Sequence, residues 1–123
     1  MPRIAISIQL AITLALVLAP AVSFAEDAVV ADPKHYAVDR ENDSVRVVRI
    51  QYGPHERSVM HDHARDGLLV YLTDHRVRFT YPDGSSEEVS VKAGQTAWAT
   101  AGTHLPENLE DEPLELLYVE IKR

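Results

Sequence analysis

From Tyr36 to the C-terminus the chain reads as short β-prone runs broken by turn residues at close spacing, and no segment of helix length carries an apolar stripe. Such spacing suits a sandwich or barrel and argues against βαβ units. The expected strands are 36–41, 45–52, 57–63, 67–73, 76–81, 87–91, 95–99, 103–108 and 114–122. In SVRVVRIQY and HRVRFTY apolar and charged residues largely alternate, so these runs expect one wet face, with Arg46, Arg49, Arg76 and Arg78 as solvated charges. LLVYL is apolar on both faces and is expected near the centre of a sheet. YPDGSSEEV sets Asp83 and Gly84 at a hairpin turn, and KAGQ and EDEP mark two more turns. There is no internal repeat and no low-complexity tract.

The first 25 residues differ from everything after them. Arg3 precedes an almost unbroken apolar stretch, IAISIQLAITLALVLAPAVSFA, with a core at about 10–19, Pro20 as a helix breaker, and small Ser23 and Ala25 at cleavage offsets. These are the parts of a secretory signal peptide cut between Ala25 and Glu26. A retained anchor helix is the alternative, because the run from Ile4 approaches the roughly 20 residues that a bilayer span needs. Pro20 and the small-residue ending favour removal. The expectation is an exported protein, periplasmic or secreted, with no membrane association once the leader is gone. Residues 26–35, EDAVVADPKH, have charge, Pro33 and no clear period; they are expected to be a flexible lead-in with no chemical role, His35 included. Residues 36–123 then form one all-β domain.

Composition narrows the function classes. A chain of 123 residues holds one such domain, and 12 Lys+Arg against 19 Asp+Glu, a formal charge of −7, exclude a nucleic-acid partner because the bases are scattered singly. Without cysteine there is no disulfide, catalytic thiol or thiolate ligand. Any metal site must therefore use histidine, carboxylate or backbone oxygen.

Three histidines have the spacing to do so. In MHDH, His61 and His63 stand two apart, so on a strand both project to one face with Asp62 on the other. Two adjacent neutral imidazoles can chelate zinc, iron, copper or nickel, and a third ligand from another strand would complete an open site. His104 in AGTHLPEN is the best candidate for that third ligand. By itself an HxH pair is also compatible with two polar residues at a barrel mouth.

The flanking residues resemble the cupin superfamily, small barrels whose first motif runs Gly, HxH, three residues, Glu, six residues, Gly. Their second motif runs Gly, five residues, Pro-x-Gly, two residues, His, three residues, Asn. Here GPHERSVMHDHARDGLLVYLTD is similar to the first and GQTAWATAGTHLPEN to the second, and the resemblance spans Val45 to Ile121. It implies a double-stranded β-helix, that is, a jelly-roll barrel. It also implies a divalent ion (Zn, Fe, Mn, Ni or Cu) on His61, His63 and His104, and a small-molecule ligand or substrate. Gly94, Gly102 and Asn108 match as well. A homodimer paired through edge strands is a further implication, with PLELLYVEIK as the candidate edge and an ordinary interior strand as the plainer reading.

Several positions depart from that pattern. Gly67 stands where the metal-binding glutamate is usual, and Asp74 replaces the closing glycine. Thr100 replaces proline, the interval from Gly102 to His104 is one residue short, and Gly53 lies two residues further from His61 than usual. Loss of the glutamate leaves a divalent ion with its full charge on three neutral imidazoles, so the site should favour anionic ligands. Of the carboxylates that could substitute, Asp66 and Glu107 have the wrong parity and the direction of Glu56 does not follow from sequence. Tyr71 shares a face with Gly67 and Leu69, which makes it a candidate for the pocket wall beside a plainer role as a core tyrosine. Trp98, the only tryptophan, is the other pocket-lining candidate, with core packing as its plainer role. His55 and His75 fall at expected loop or strand edges and read as exposed. Two functions remain open from sequence: a metal-dependent protein acting on a small molecule, and a barrel that binds a small ligand without turnover or a functional metal site.

Overall fold

Alternation of apolar and polar residues yields nine antiparallel strands: β1 (Tyr36–Glu41), β2 (Val45–Tyr52), β3 (His61–His63), β4 (Gly67–Tyr71), β5 (His75–Thr80), β6 (Ser86–Val91), β7 (Thr96–Ala99), β8 (Gly102–Asn108) and β9 (Leu114–Ile121). The structure is a computed structural model that describes residues 14–16 and 25–123; apart from 14–16 and 25, the leader expected over 1–25 lies outside the described residues. Among the described residues no helix is long and apolar enough to cross a membrane.

Two sheets face each other, one ordered β1-β2-β9-β4-β7 and the other β3-β8-β5-β6. This is a jelly-roll arrangement, as the cupin resemblance implies, within the sandwich or barrel class expected from the strand and turn spacing. The long ladder from Val45↔Ile121 to Tyr52↔Leu114 joins β2 to β9, so the C-terminal run is an interior strand with β4 on its other side and is not a sheet edge. β4, from the LLVYL run, is interior too. At the β5–β6 hairpin Gly84 has φ +85°, a left-handed conformation that glycine adopts without steric cost, and Gly94 takes the same φ before β7. The run expected at 57–63 is strand only at His61–His63. Before it the chain makes single attachments: Arg57 bridges Glu107, and the Ser58 amide donates to the Pro106 carbonyl at 2.9 Å.

Side-chain parity decides what lies between the sheets. Along β9, Leu114, Leu116, Tyr118 and Glu120 are buried while their neighbours are half-buried. With Val48, Ile50, Tyr52, Tyr71, Val77 and Val91 they build the interior, each aliphatic contributing roughly 1.5–3 kcal/mol by leaving water. Trp98 is on the other parity. It is 79% exposed on the outer face of β7, whereas Ala97 and Ala99 turn inward, so the expected pocket or core role is not met.

Glu120 is the acidic residue on that inward face, and it is almost wholly buried. Arg46 answers it with a bidentate pair, Nε to Oε2 at 2.5 Å and Nη2 to Oε1 at 2.9 Å, while also reaching Asp27 at 2.7 Å. Arg46 is thus not the solvated charge its alternating run suggests. The register Arg46↔Glu120 sets the two opposite each other on adjacent strands. Arg76 and Arg78 are the surface charges expected, paired with Glu88 in the open.

Residues 26–35, expected as a flexible lead-in, are packed on the body of the protein. The four-residue helix α1 (Ala28–Ala31) starts at Asp27, whose carboxylate accepts from the Val29 amide at 3.1 Å. Ala28, Asp32 and His35 are buried, and Asp27 forms a bridge with Asp62 of β3.

Removing one member of a buried, hydrogen-bonded ion pair strands the other. Arg46→Met is accordingly expected to cost about 3 kcal/mol in urea unfolding, with Arg65 at 3.5 Å from Glu120 offering partial compensation. Arg76→Met, on the exposed pair, should cost less than about 1 kcal/mol. Equal losses would contradict the structural role given to Arg46.

Candidate metal centre

β3 is only three residues long, and its period of two turns His61 and His63 into the barrel with Asp62 facing out, where the Thr103 hydroxyl donates to its carboxylate at 3.0 Å. β8 pairs with it in the register His61↔His104, Asp62↔Thr103, His63↔Gly102. Residues directly opposite in an antiparallel pair share a face, so His104 enters the same volume despite the shortened interval before it. The three rings meet edge to face with centroids 4.9–5.0 Å apart, and one nitrogen from each lies within 4.8 Å of the others. The sequence expectation that these three histidines converge is met.

The nitrogen atoms themselves fit a cation. His61 Nδ1 donates to the Val59 carbonyl at 2.9 Å and lies 3.1 Å from Ser58 Oγ, which leaves the Nε2 lone pair free. That Nε2 stands 3.1 Å from His63 Nε2, and His104 Nε2 is buried with no hydrogen-bond partner. His63 Nε2–H can donate to the His61 Nε2 lone pair, but the buried His104 Nε2 and His63 Nδ1 still have no partner, and buried polar nitrogens left unpaired are costly. A divalent ion bound by neutral imidazole takes up such a lone pair. Burial pushes His61 down from its ordinary value, His63 down to about 4 and His104 down to about 3, with the neighbouring imidazoles adding to the last two. All three rings are therefore neutral near pH 7, the state in which imidazole ligates.

The walls are aromatic. Tyr36 lies edge-on to His61, Phe79 stacks on His104 with centroids 5.0 Å apart, and Tyr118 lies edge-on to His63. Beside them is a partly open pocket of about 90 Å³, lined in part by Tyr36, Tyr52, Tyr71, His75 and Asn108 and by no Asp, Glu, Lys or Arg. Tyr71 is thus on the pocket wall. So is His75, which is buried and not exposed as its strand-edge position suggested; its Nδ1 lies 3.2 Å from Thr73 Oγ1. The alternation in HRVRFT carried that information, because His75, Val77 and Phe79 share a parity opposite to Arg76 and Arg78. His55 is exposed, as expected, and pairs with Asp111 at 2.6 Å. Asn108 is fully buried and ties loops together, donating to the Gly53 and Glu112 carbonyls and accepting from the Glu110 amide.

No carboxylate takes the place of the missing glutamate. Asp66 is exposed and accepts from the Ala101 amide, Glu107 pairs with Arg78, and Glu56 bonds His35 and the Gly53 amide. Position 67 itself is closed. A Cβ on Gly67 would come within 2.7 Å of the Tyr118 ring and closer still to the Val119 carbonyl oxygen. The Tyr118 ring thus occupies the space into which a residue-67 side chain would start, and its hydroxyl is tied back to the Arg65 carbonyl at 2.5 Å.

No sequence-family model and no curated protein matches the chain. Among solved structures it is similar to a cupin domain from Bordetella pertussis Tohama I at 24% identity and TM-score 0.67, over 72% of this chain and 92% of that one. It is also similar to a conserved protein with a double-stranded β-helix domain from Klebsiella pneumoniae, at 20% identity and TM-score 0.56, over 70% of this chain and 74% of that one. A third likeness is to oxalate decarboxylase from Bacillus subtilis, described with Mn(II) centres, at 22% identity and TM-score 0.51; it covers 63% of this chain but only 22% of that longer one. The fold is the double-stranded β-helix of the cupins.

Two outcomes follow from this geometry. Gly67→Ala should destabilise the protein by roughly 1–3 kcal/mol because strand or ring must shift, and Gly67→Glu should lower stability further without raising metal affinity; tighter metal binding by Gly67→Glu would show the position to be open. Because the histidine values are depressed in the fold, the unfolded chain takes up protons first as pH falls below about 6.5. The metal-free protein should lose stability from there toward pH 4, and His104→Gln should flatten that dependence in urea unfolding. An unchanged slope would contradict the burial of a neutral His104.

Proposed function

We propose that this cupin-fold chain binds one divalent metal ion through His61, His63 and His104 and holds a small, largely apolar anion beside it in the barrel. The observation that carries this is the convergence of three neutral imidazoles, His61 and His63 buried and His104 half-buried, with His104 Nε2 buried and without a hydrogen-bond partner. Such an ion supplies Lewis acidity and open positions for a ligand. Its charge would be uncompensated, since neither the three donors nor the cavity wall carries a carboxylate. Preference for an anion follows from that imbalance.

The residues around the centre do the rest. Tyr36, Phe79 and Tyr118 exclude water from the imidazoles, which strengthens electrostatic attraction at the site. Burial holds the Tyr36 phenol well above its usual range, so it stays protonated, and its oxygen lies 2.5 Å from that of Tyr52. Tyr71 and His75 offer polar atoms elsewhere on the same cavity wall and would orient a bound molecule.

The second reading, a binding module without turnover, draws support from the mostly apolar wall, whose acid/base groups besides the metal-site histidines are His75 and tyrosine phenols. Export is part of the proposal and rests on the leader pattern of residues 1–25.

Metal analysis of untagged protein tests the central claim. Close to one divalent ion per chain is expected, lost in His61→Ala and in His104→Ala. Substoichiometric metal that neither substitution changes would overturn it.

A further inference from the structure

A file of buried polar side chains reaches the centre from the surface, and half of it comes from the segment before β1. Glu56 Oε2 lies 3.0 Å from His35 Nε2, and His35 Nδ1 lies 2.7 Å from Asp32 Oδ2. The Ser58 hydroxyl donates to the same Asp32 oxygen at 2.6 Å, and Ser58 Oγ is 3.1 Å from His61 Nδ1. Asp32, His35 and Ser58 are all buried. Burying three polar groups together is costly unless each finds its partner, and here each does.

The direction of these bonds follows from the carboxylate. An ionised Asp32 can only accept, so the Ser58 hydroxyl must give it its proton. Ser58 Oγ then has only lone pairs left for His61, and His61 must present Nδ1–H toward it. The Val59 carbonyl, 2.9 Å away, accepts from the same Nδ1. The Val59 carbonyl and, through Ser58, Asp32 thus act together on Nδ1–H, which leaves the His61 lone pair on Nε2, the nitrogen turned to His63. The other two imidazoles have no comparable tether, since His63 Nδ1 is buried without a partner and His104 is held by stacking on Phe79.

We propose that Asp32, from the N-terminal segment, and Ser58, from the stretch before β3, are positioning residues for the metal centre that fix, together with the Val59 carbonyl, the ring orientation of His61. The inference rests on the three-histidine reading above. Backbone contacts bring the segment to its place: the Asp62 amide of β3 donates to the Glu26 carbonyl at 2.7 Å, and the Gln51 amide of β2 donates to the His35 carbonyl at 3.0 Å. Residues 26–35 therefore act on the site although none of them touches the ion position.

The test uses the full chain and its Ser58→Ala, Ser58→Thr, Asp32→Asn and His61→Ala variants, with Co(II) as probe. Three quantities are read: Co(II) affinity, the visible d–d spectrum of the loaded protein, and the imidazole ¹⁵N shifts of His61 in the metal-free protein. Outer hydrogen-bond partners of metal-bound imidazole typically govern affinity by about 10–100-fold. Because the Val59 carbonyl remains, Ser58→Ala and Asp32→Asn should each weaken Co(II) binding about tenfold and alter the d–d spectrum. The Val59 carbonyl keeps His61 in its Nδ1–H tautomer, but loss of the second acceptor should move the His61 Nδ1 ¹⁵N shift, and Ser58→Thr, which keeps the hydroxyl, should restore all three. A purely structural role would lower thermal stability and leave the d–d spectrum and the His61 Nδ1 ¹⁵N shift unchanged. Wild-type affinity, d–d spectrum and His61 Nδ1 ¹⁵N shift in folded Ser58→Ala, or in Asp32→Asn where the former does not fold, would overturn the proposal. Intact Co(II) binding by His61→Ala would instead overturn the three-histidine reading itself.

Discussion

The site depends on the register of β3 against β8. Three residue pairs define that ladder, His61↔His104, Asp62↔Thr103 and His63↔Gly102. A slip of one residue would turn both histidines of β3 to the outside and put Asp62 into the barrel. A ladder this short cannot hold its own register. It is held from the sides: the Asp62 amide is taken by Glu26, Asp62 bridges Asp27, its carboxylate accepts from Thr103, and Ser58 is pinned to Pro106. Arg46 ties Asp27 in turn to Glu120 in the opposite sheet. The stretch before β1 is thus part of what makes the centre a centre.

Around that register the interior is polar in donors and neutral in charge. The imidazoles of His63, His75 and His104, the phenols of Tyr36, Tyr52 and Tyr71, and Asn108 line the cavity, while the buried carboxylates Asp32 and Glu120 are not part of its wall and are satisfied by Ser58 with His35 and by Arg46 respectively. Closing position 67 with the Tyr118 ring completes this separation. Any positive charge placed among the histidines then acts at full strength on whatever enters the barrel, because the interior screens weakly. A carboxylate at position 67 would have halved that charge, so the glycine has an electrostatic consequence beyond packing.

Much of this was legible in the residues. Nine strands follow from period-two alternation and turn chemistry, and the pair His61 and His63 follows from the same parity. Parity would also have placed His75 inside, had its position at a strand edge not weighed more heavily. Other features were hidden. Arg46 and Arg76 sit in similar alternating runs, yet one pairs with a buried glutamate 74 positions away and the other with an exposed one. Trp98 is the bulkiest apolar side chain, which argues for burial, but its neighbours Ala97 and Ala99 hold the inward parity and it is left outside. His35, Asp32 and Ser58 have no shared spacing at all, and their meeting depends on the folded path of the segment before β1.

What the chain determines locally is therefore the strand pattern, the face each strand side chain takes and the donor chemistry available, since those depend on residues one or two apart. Only the tertiary structure decides which buried polar groups share a volume. The register His61↔His104, the closure of Gly67 by Tyr118, the pairing of Arg46 with Glu120 and the reach of Asp32 to His61 through Ser58 all join residues distant along the chain. Contacts of that kind are set by how the two sheets and the N-terminal segment pack, and packing is a property of the whole interior rather than of any stretch of sequence.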